Sequence, residues 1–271
     1  MTLHLLPDSL LRHILSFNIG EGQPGPPRGN PWYVLSKRLV TFWYVFRFVS
    51  NTSDKAMSEM AETFKTHRPW LTHVDLSRCV KITEGCLSTN LGFVPLLTSL
   101  NLSRVPQAGE AFHQALGNSH KPYGWYKGLT HLDVSKSPND DTIGNPDKLV
   151  TTLVSYPYLQ HLNLAHHTGL TDAGAITIGN SCSHMEVLIM TGNTGVTIDG
   201  FVWLAIKCIK ITTLCVASTK ICDNGVGEFT RRSTNLTELD VGHCDCLTDI
   251  GMKMIAEVKG MKSLSLRGIC T

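Results

Sequence analysis

The chain has 271 residues, of which 42% are hydrophobic and 17% charged, and its net charge is +2. This composition predicts a soluble globular protein with a sizeable core, in one large domain or two small ones. It excludes a strong electrostatic pull toward nucleic acids or membranes. The longest apolar run, residues 39–49, is too short to span a bilayer and contains Arg47.

Cysteine content and the N-terminus bear on the compartment. The first residues lack the basic segment and the small-residue cleavage site of a secretory signal. Nine cysteines are an odd number, which does not suit a full set of disulfides. We therefore expect reduced thiols and an intracellular, reducing location, in the cytoplasm, on the cytoskeleton or in a cilium.

An apolar stripe at helical spacing opens the chain. The stretch HLLPDSLLRHILSF, residues 4–17, has Pro7 in its first turn and polar residues opposite the stripe. It resembles the start of an F-box, and VLSKRLVTFWY, residues 34–44, is similar to the second half of that family's pattern. In F-box proteins these helices bind the adaptor subunit of a cullin–RING ubiquitin ligase. The resemblance implies that the adaptor-binding residues here are Leu6, Pro7, Leu10, Leu11 and Ile14.

The same region has a second interpretation. A Gly/Pro-rich linker, residues 18–30, lies where the F-box family has a short connection. A helical cap that only shields the first strand of a repeat array, without binding an adaptor, accounts equally for the apolar stripe. We therefore assign residues 1–70 to an F-box-like helical cap and residues 71–271 to the repeats.

One phrase, of which LTHVDLSRC and LTELDVGHC are examples, is repeated through the rest of the chain. The repeats start at residues 71, 97, 129, 159, 185, 211, 236 and 261. Apolar residues recur three and five positions after each start, as in Leu162 and Leu164. This alternation predicts a short strand with one buried face. A second phrase such as LTDIGMKMIA follows most strands and predicts a short helix with a Thr or Asp cap.

A unit of this size cannot bury its apolar face alone, so stacking of units is expected to build one continuous core. The pattern is similar to the leucine-rich repeat, specifically its cysteine-containing subtype. That subtype places Cys or Asn eight positions after the start, as at Cys79, Asn193 and Cys244, and a second Cys late in the repeat, as at Cys182 and Cys208. The resemblance implies an α/β solenoid, shaped as an arc, with a parallel concave sheet and convex helices.

The run His243, Cys244, Cys246 invites a metal or redox interpretation. Cys244 has the same phase as Cys79 and Asn193, which predicts a buried turn position that meets backbone groups of the neighbouring coil. Zinc needs four convergent ligands, and this segment offers three at most. We therefore expect an architectural role here, and neither a metal nor a cofactor.

Side chains two, four, six and seven positions after each start are predicted to face the concave surface. The predicted partner-binding residues are His73, Arg78, Arg104, His131, Lys136, His161, His166 and Ile189. Repeats one to four are polar and partly basic, whereas Val187, Ile189, Cys215 and Ala217 make repeats five and six apolar. Such a surface suits an acidic peptide with a hydrophobic anchor. The alternative is that these polar residues only keep an open sheet soluble.

Two further features suggest partners. Repeat two carries an insertion, HKPYGWYKG, whose Tyr123, Trp125 and Tyr126 resemble the aromatic anchors of interfaces. This loop equally suits packing onto the helix layer. The last strand, near residues 264–266, would expose an apolar edge unless a partner or the short tail covers it, and we favour a partner.

The sequence thus predicts a non-catalytic protein-binding module, with no enzyme activity, no nucleic-acid binding and no membrane insertion. Two hypotheses stay open. The first is an F-box/leucine-rich-repeat substrate receptor of a ubiquitin ligase. The second is a structural scaffold subunit of a large assembly, such as a ciliary, axonemal or organellar complex, in which the F-box-like segment is only a cap.

Overall fold

The computed structural model describes residues 45–47, 50, 52–59, 72–90, 96–106, 108, 128–136 and 146–269. The predicted adaptor-binding helix and the linker at 18–30 lie outside the described residues. So does the loop that carries Tyr123, Trp125 and Tyr126. No described helix is both long and apolar enough to traverse a lipid bilayer.

Nine three-residue strands in the described residues form one parallel sheet, in which the strand order is the chain order. They are β1 Val45–Arg47, β2 His73–Asp75, β3 Ser99–Asn101, β4 His131–Asp133, β5 His161–Asn163, β6 Val187–Ile189, β7 Thr213–Cys215, β8 Glu238–Asp240 and β9 Ser263–Ser265. The pairing has no offset, so that His131 pairs with His161 and Leu132 with Leu162. Equivalent side chains of successive repeats are therefore neighbours, at the usual strand spacing of about 4.8 Å.

Helices connect the strands and line the other side of the core. They are α1 (54–59), α2 Glu84–Asn90, α3 Pro146–Thr152, α4 Asp172–Ser181, α5 Ile198–Lys207, α6 Asp223–Arg232 and α7 Asp249–Ala256. Thr171 and Thr248 precede α4 and α7 with extended backbones, and each hydroxyl accepts a hydrogen bond from the N–H two residues on. The prediction of an α/β repeat solenoid is confirmed.

The core runs through the stack between the sheet and the helices. In the repeats that start at residues 71 to 236, residues at the third and fifth positions after the start are buried, and Leu162, Leu164, Leu188 and Met190 are at most 1% exposed. Helix residues such as Phe201 close the core from the convex side. Leu264 in β9, the last described strand, is 42% exposed. That a partner covers this edge stays a prediction.

Aspartates at the helix starts join each repeat to the next. The Asp172 carboxylate accepts hydrogen bonds from the backbone N–H and the hydroxyl of Thr197, at 2.7 and 2.6 Å. The equivalent pairs are Asp54 with Thr83, Asp147 with Thr171 and Asp223 with Thr248. At the start of α6 the threonine is replaced by Cys222, which makes no side-chain cap. No hydrogen bond joins Asp199 to Cys222 within the described residues.

Strand β1 extends the sheet beyond the first repeat start at residue 71. Val45 pairs with His73 in the same parallel register as the later strands. The carboxylate of Asp54 in α1 accepts a hydrogen bond from the backbone N–H of Thr83. The described residues between 45 and 59 therefore form a repeat unit, although the predicted helical cap was assigned all of residues 1–70. The phrase WYVFRFV at residues 43–49 lacks leucines, which is why its strand was not recognised in the sequence.

Cysteines that stand eight positions after a repeat start are buried, as the sequence predicts. Cys244 is fully buried, and its thiol donates to the Val216 carbonyl of the preceding coil at 3.2 Å. At the equivalent position the Asn193 side chain accepts from the backbone N–H of His167. Burial raises the pKa of Cys182 and of Cys208 to about 12, which keeps both thiols protonated and unreactive.

Candidate protein-binding surface

The solvent-facing side of the sheet carries the second and fourth positions of each repeat. In β4 to β7 these side chains are half-buried, while the residue between them is buried. Because the register has no offset, each position forms a row that crosses the sheet. The character of the rows changes along the stack, and four groups of residues define the surface.

The first group is a histidine pair, His131 and His161. Their rings stack with centroids 4.0 Å apart and an interplanar angle of 17°. Burial lowers the pKa of both histidines, and the neighbouring His161 charge lowers that of His131 further. Glu186 acts in the opposite direction on both. The third strand histidine, His73, is exposed and is separated from the pair by Ser99 in β3.

The ring of His131 is held by the residue before it. Its Nδ1 lies 2.8 Å from the hydroxyl oxygen of Thr130. The same hydroxyl lies 3.1 Å from the Thr98 carbonyl, which also accepts hydrogen bonds from the backbone N–H groups of Thr130 and His131. These contacts fix the orientation of the ring against the sheet.

The fourth-position polar residues are engaged in local structure. One side-chain oxygen of Asp75, Asn101, Asp133, Asn163 and Asp240 accepts a hydrogen bond from the backbone N–H two residues on, at 2.9 to 3.1 Å. The second oxygen of Asp133 accepts from the Asn163 side-chain amide at 3.1 Å. These groups stabilise the turn that follows each strand, so they are only partly available to a partner.

The second group, the basic edge, consists of Arg78 and Arg104. Both were predicted for the concave face, but they lie in the turn three residues beyond the strand ends, at its carboxyl edge, with φ of 62° and 59°. Both side chains are exposed and form no ion pair with any described residue. Lys136 occupies the same position in the next repeat and is half-buried.

His166 continues this edge and packs onto the following repeat. A Cβ placed on Gly192, where φ is 75°, would lie 2.6 Å from its Nδ1, so glycine leaves room for the ring. Burial lowers the pKa of His166, and the positive charge of Arg104 lowers it further. Arg104 thus acts electrostatically on a side chain two repeats away.

The third group, the apolar window, consists of Val187, Ile189 and Cys215. All three are half-buried and lie side by side on β6 and β7. Burial raises the pKa of Cys215 to about 11, with a further contribution from Asp240, so its thiol is neutral. Ala217, which the sequence predicts to belong to this strip, is buried, at 8% exposure.

The fourth group, the acidic end, consists of Glu238 and Asp240 on β8. Glu238 is exposed and accepts a hydrogen bond from the Thr213 hydroxyl at 3.3 Å. The binding residues predicted from the sequence end at repeat six and do not include this group. The same second and fourth positions in the seventh repeat would have identified it.

Some predicted site residues cannot be placed on this surface. Leu6, Pro7, Leu10, Leu11 and Ile14 lie outside the described residues, as do Tyr123, Trp125 and Tyr126. In the part of the chain that is described, no three or more His, Cys, Asp or Glu side chains come together in a group suited to a metal ion.

Comparison with known proteins agrees with this architecture. The Leucine Rich repeat family model matches residues 157–179 and 232–256, which span β5 with part of α4 and β8 with α7. The yeast Rad7 chain, solved in complex with Elc1, is similar over 85% of this chain and 71% of its own, with a TM-score of 0.52 and 14% identity. The fold is a leucine-rich-repeat solenoid. At that identity the likeness to the solved structure concerns the fold alone.

Two curated relatives carry the name Antagonist of mitotic exit network protein 1. The Candida glabrata protein is 28% identical over 137 residues, or 49% of this chain and 27% of its own. The Saccharomyces cerevisiae protein is 24% identical over 148 residues, or 54% of this chain and 27% of its own. This leucine-rich-repeat chain therefore aligns with about a quarter of the length of these relatives.

Proposed function

We propose that the chain is a non-catalytic protein-binding module that holds a partner segment on the exposed face of its sheet. One observation carries the proposal: a basic edge in the turns, an apolar window and an acidic end follow one another along one sheet with fixed register. Solenoids commonly use this face for binding. Exposed charges and half-buried apolar groups on one sheet are a surface that gains free energy when a complementary protein covers it.

A catalytic role has less support. The histidine pair lies on an open sheet, where water has free access, and no described carboxylate hydrogen-bonds to either ring. A stacked pair without an orienting acid or an enclosed cavity lacks the geometry of general acid–base catalysis. Buried thiols with raised pKa values are poor nucleophiles.

Within this proposal, the finer function is a substrate receptor of an F-box-type ubiquitin ligase in a reducing intracellular compartment. Its support is the resemblance of residues 4–17 and 34–44 to the F-box, next to a leucine-rich-repeat array. In this role Leu6, Pro7, Leu10, Leu11 and Ile14 contact the adaptor, and the sheet holds the target. The assignment of the repeats to the cysteine-containing subtype is part of the same proposal.

A scaffold subunit of a large assembly is the second candidate. The observation that favours it is β1, which begins directly after residues 34–44 and continues the sheet. A segment that joins the sheet so closely suits a structural cap. The linker at 18–30 also interrupts the F-box-like pattern.

Photocrosslinking tests the binding face. A benzoylphenylalanine at Ile189, in the apolar window, would be compared with one at Ile209, which is 52% exposed on the strand-entry rim. We expect crosslinked proteins from the native cell at Ile189 that are absent at Ile209. Identical adducts at both sites, or adducts at Ile209 alone, would contradict the proposal.

Co-expression with the ligase adaptor separates the two candidates. A receptor co-elutes with the adaptor in size-exclusion chromatography, and Leu10→Asp/Ile14→Asp abolishes co-elution. The matched control is Ser9→Asp/His13→Asp, on the opposite face of the same predicted helix. Failure of the wild-type chain to co-elute would rule out the receptor and leave the scaffold.

A further inference from the structure

We infer that this face selects a partner segment by the order of its charges, with an acidic residue, an apolar anchor and a basic residue in succession. The acidic residue lies over the basic edge in repeats one and two, the anchor over the apolar window in repeats five and six, and the basic residue over the acidic end in repeat seven. This inference rests on the proposed function, because it requires that the face binds a protein.

The basic edge is available to a ligand. Arg78 and Arg104 belong to adjacent repeats, are exposed and have no carboxylate partner among the described residues. Both have a left-handed backbone that costs a non-glycine residue free energy, and Gly192 and Gly268 occupy the same position in later repeats. Two neighbouring guanidinium groups suit the bidentate hydrogen bonds of a carboxylate.

The carboxylates that remain on the face exclude an acidic ligand from other places. Asp133 is already an acceptor for Ser135 and Asn163, and Glu186 lies near the histidine pair at the strand-entry side. Glu238 and Asp240 make repeat seven acidic, with Cys215 of the apolar window next to Asp240. An acidic residue of a partner is therefore favoured at the exposed guanidinium groups of the carboxyl edge in repeats one and two. A basic residue is favoured at repeat seven, where Glu238 is exposed, whereas Asp75 and Asp133 of the first repeats are half-buried and already accept hydrogen bonds from their own turns.

The strand geometry sets the spacing of the partner's residues. From repeat two to repeat five there are three strand spacings, about 14 Å, and the Arg104 turn is displaced from Ile189 by roughly 10 Å along the strands. The diagonal of about 17 Å corresponds to about five residues of an extended segment at 3.3 Å each. From the apolar window to Asp240 one or two spacings remain, which correspond to about two or three residues.

Between the basic edge and the apolar window, the partner segment passes few side chains that would compete for its contacts. Between the two ends lie Ser135 and Asn163, whose side chains are hydrogen-bonded to the sheet or its turns. The histidine pair lies two residues nearer the strand entry than Asn163 in its row. The affinity is therefore expected to come from the two ends and the anchor, with a permissive spacer.

The test is selection of a random 16-residue peptide library, displayed on phage, on the full chain. We expect selected peptides to carry an acidic residue four to six positions from an apolar residue, with a basic residue two or three positions beyond, in either chain direction. Synthetic fluorescein-labelled copies then allow affinity to be measured by anisotropy. A control peptide of the same composition, with its acidic and basic residues exchanged, is expected to bind at least about tenfold more weakly, the usual loss for one charge-assisted contact.

Protein variants locate the contacts. Arg78→Asn/Arg104→Asn removes both charges and introduces asparagines, which tolerate the left-handed backbone. It is expected to weaken binding about a hundredfold, at roughly tenfold for each charge-assisted contact. Lys210→Asn/Lys259→Asn removes two exposed lysines on the strand-entry side, before β7 and β9, and is expected to change nothing. Arg104→Glu is expected to restore binding to a peptide whose acidic residue is replaced by lysine. Circular dichroism checks that each variant is folded.

The failures are distinguishable. Peptides that need Ile189, as shown by Ile189→Asp, but lack acidic residues and ignore the arginine variant would overturn the charge order and leave the binding face intact. Peptides that ignore both the Ile189 and the arginine variants would overturn this inference and the proposed function together.

Discussion

The first half of the sheet, β2 to β5, and the second half, β6 to β8, share one backbone and differ in what they present to solvent. In both halves the third and fifth positions of the repeat are buried leucines and related residues. The first half adds histidines, turn-forming Asp and Asn residues and the basic edge, whereas the second half adds the apolar window and the acidic end. The comparison teaches that the buried rows maintain the fold while the exposed rows vary independently.

Truncation in the core is the strongest test of that independence. Leu162→Ala in the first half and Leu188→Ala in the second are each expected to cost about 2–5 kcal/mol of unfolding free energy, because each empties a fully packed position. Denaturant unfolding followed by circular dichroism measures both. Costs that differ by more than this range would show that the halves are not equivalent inside.

The aspartate couplings are expected to contribute less. Asp223→Ala removes acceptors for the N–H and hydroxyl of Thr248 and for the N–H of Gly251, and should cost about 1–3 kcal/mol, as for bonds to a charged group. Asp172→Ala should cost somewhat less, because among the described residues Asp172 accepts only from Thr197. Asn in place of either Asp is the matched control, since it retains one acceptor.

The hydrogen bond that is missing at Cys222 marks a position where the unfolding free energy can be increased. Cys222→Thr would supply a cap for α6 and a donor for Asp199, and we expect a stabilisation of about 1 kcal/mol. Cys222→Val, of similar shape and without a hydroxyl, is the control. Equal effects of Thr and Val would show that packing, and not the hydrogen bond, limits this junction.

Mild acidification, in the histidine range, should act through the first half. The lowered pKa values of His131 and His161 mean that the unfolded chain binds protons before the folded chain does. Stability is therefore lost as pH falls from about 6.5, the ordinary histidine value, toward the folded pKa values. Thermal unfolding at several pH values should show this loss reduced in His131→Gln/His161→Gln. His73→Gln, whose ring is exposed, is the control.

The smallest effect belongs to the basic edge. Arg78→Asn and Arg104→Asn should each change the unfolding free energy by only about 0.5 kcal/mol, as for exposed surface residues. Chemical denaturation with each single variant measures this. A loss comparable to that of Leu162→Ala would mean that these side chains hold the fold, and that the division between buried and exposed rows is not valid there.

The sequence was sufficient for the periodic part of the fold. Alternation such as Leu162/Leu164 predicts buried strand positions, because burial on one face leaves no other arrangement. It was not sufficient for β1, whose aromatic phrase lacks leucine, or for Arg78 and Arg104, which lie in turns with positive φ three residues beyond the strand ends. The ring stacking of His131 on His161 and the burial of Ala217 depend on tertiary geometry that periodicity does not encode.

All nine described strands pair without offset, so distances across the face are multiples of one strand spacing. Each repeat adds about 4.8 Å across the sheet, and the spacings between the other strands are unaffected. Duplication or loss of a whole repeat between Arg104 and Ile189 would therefore change the length of segment that fits by about one or two residues, at 3.3 Å each, while every buried contact is regenerated by the new neighbour. Specificity for spacing can thus evolve in fixed steps, without redesign of the core.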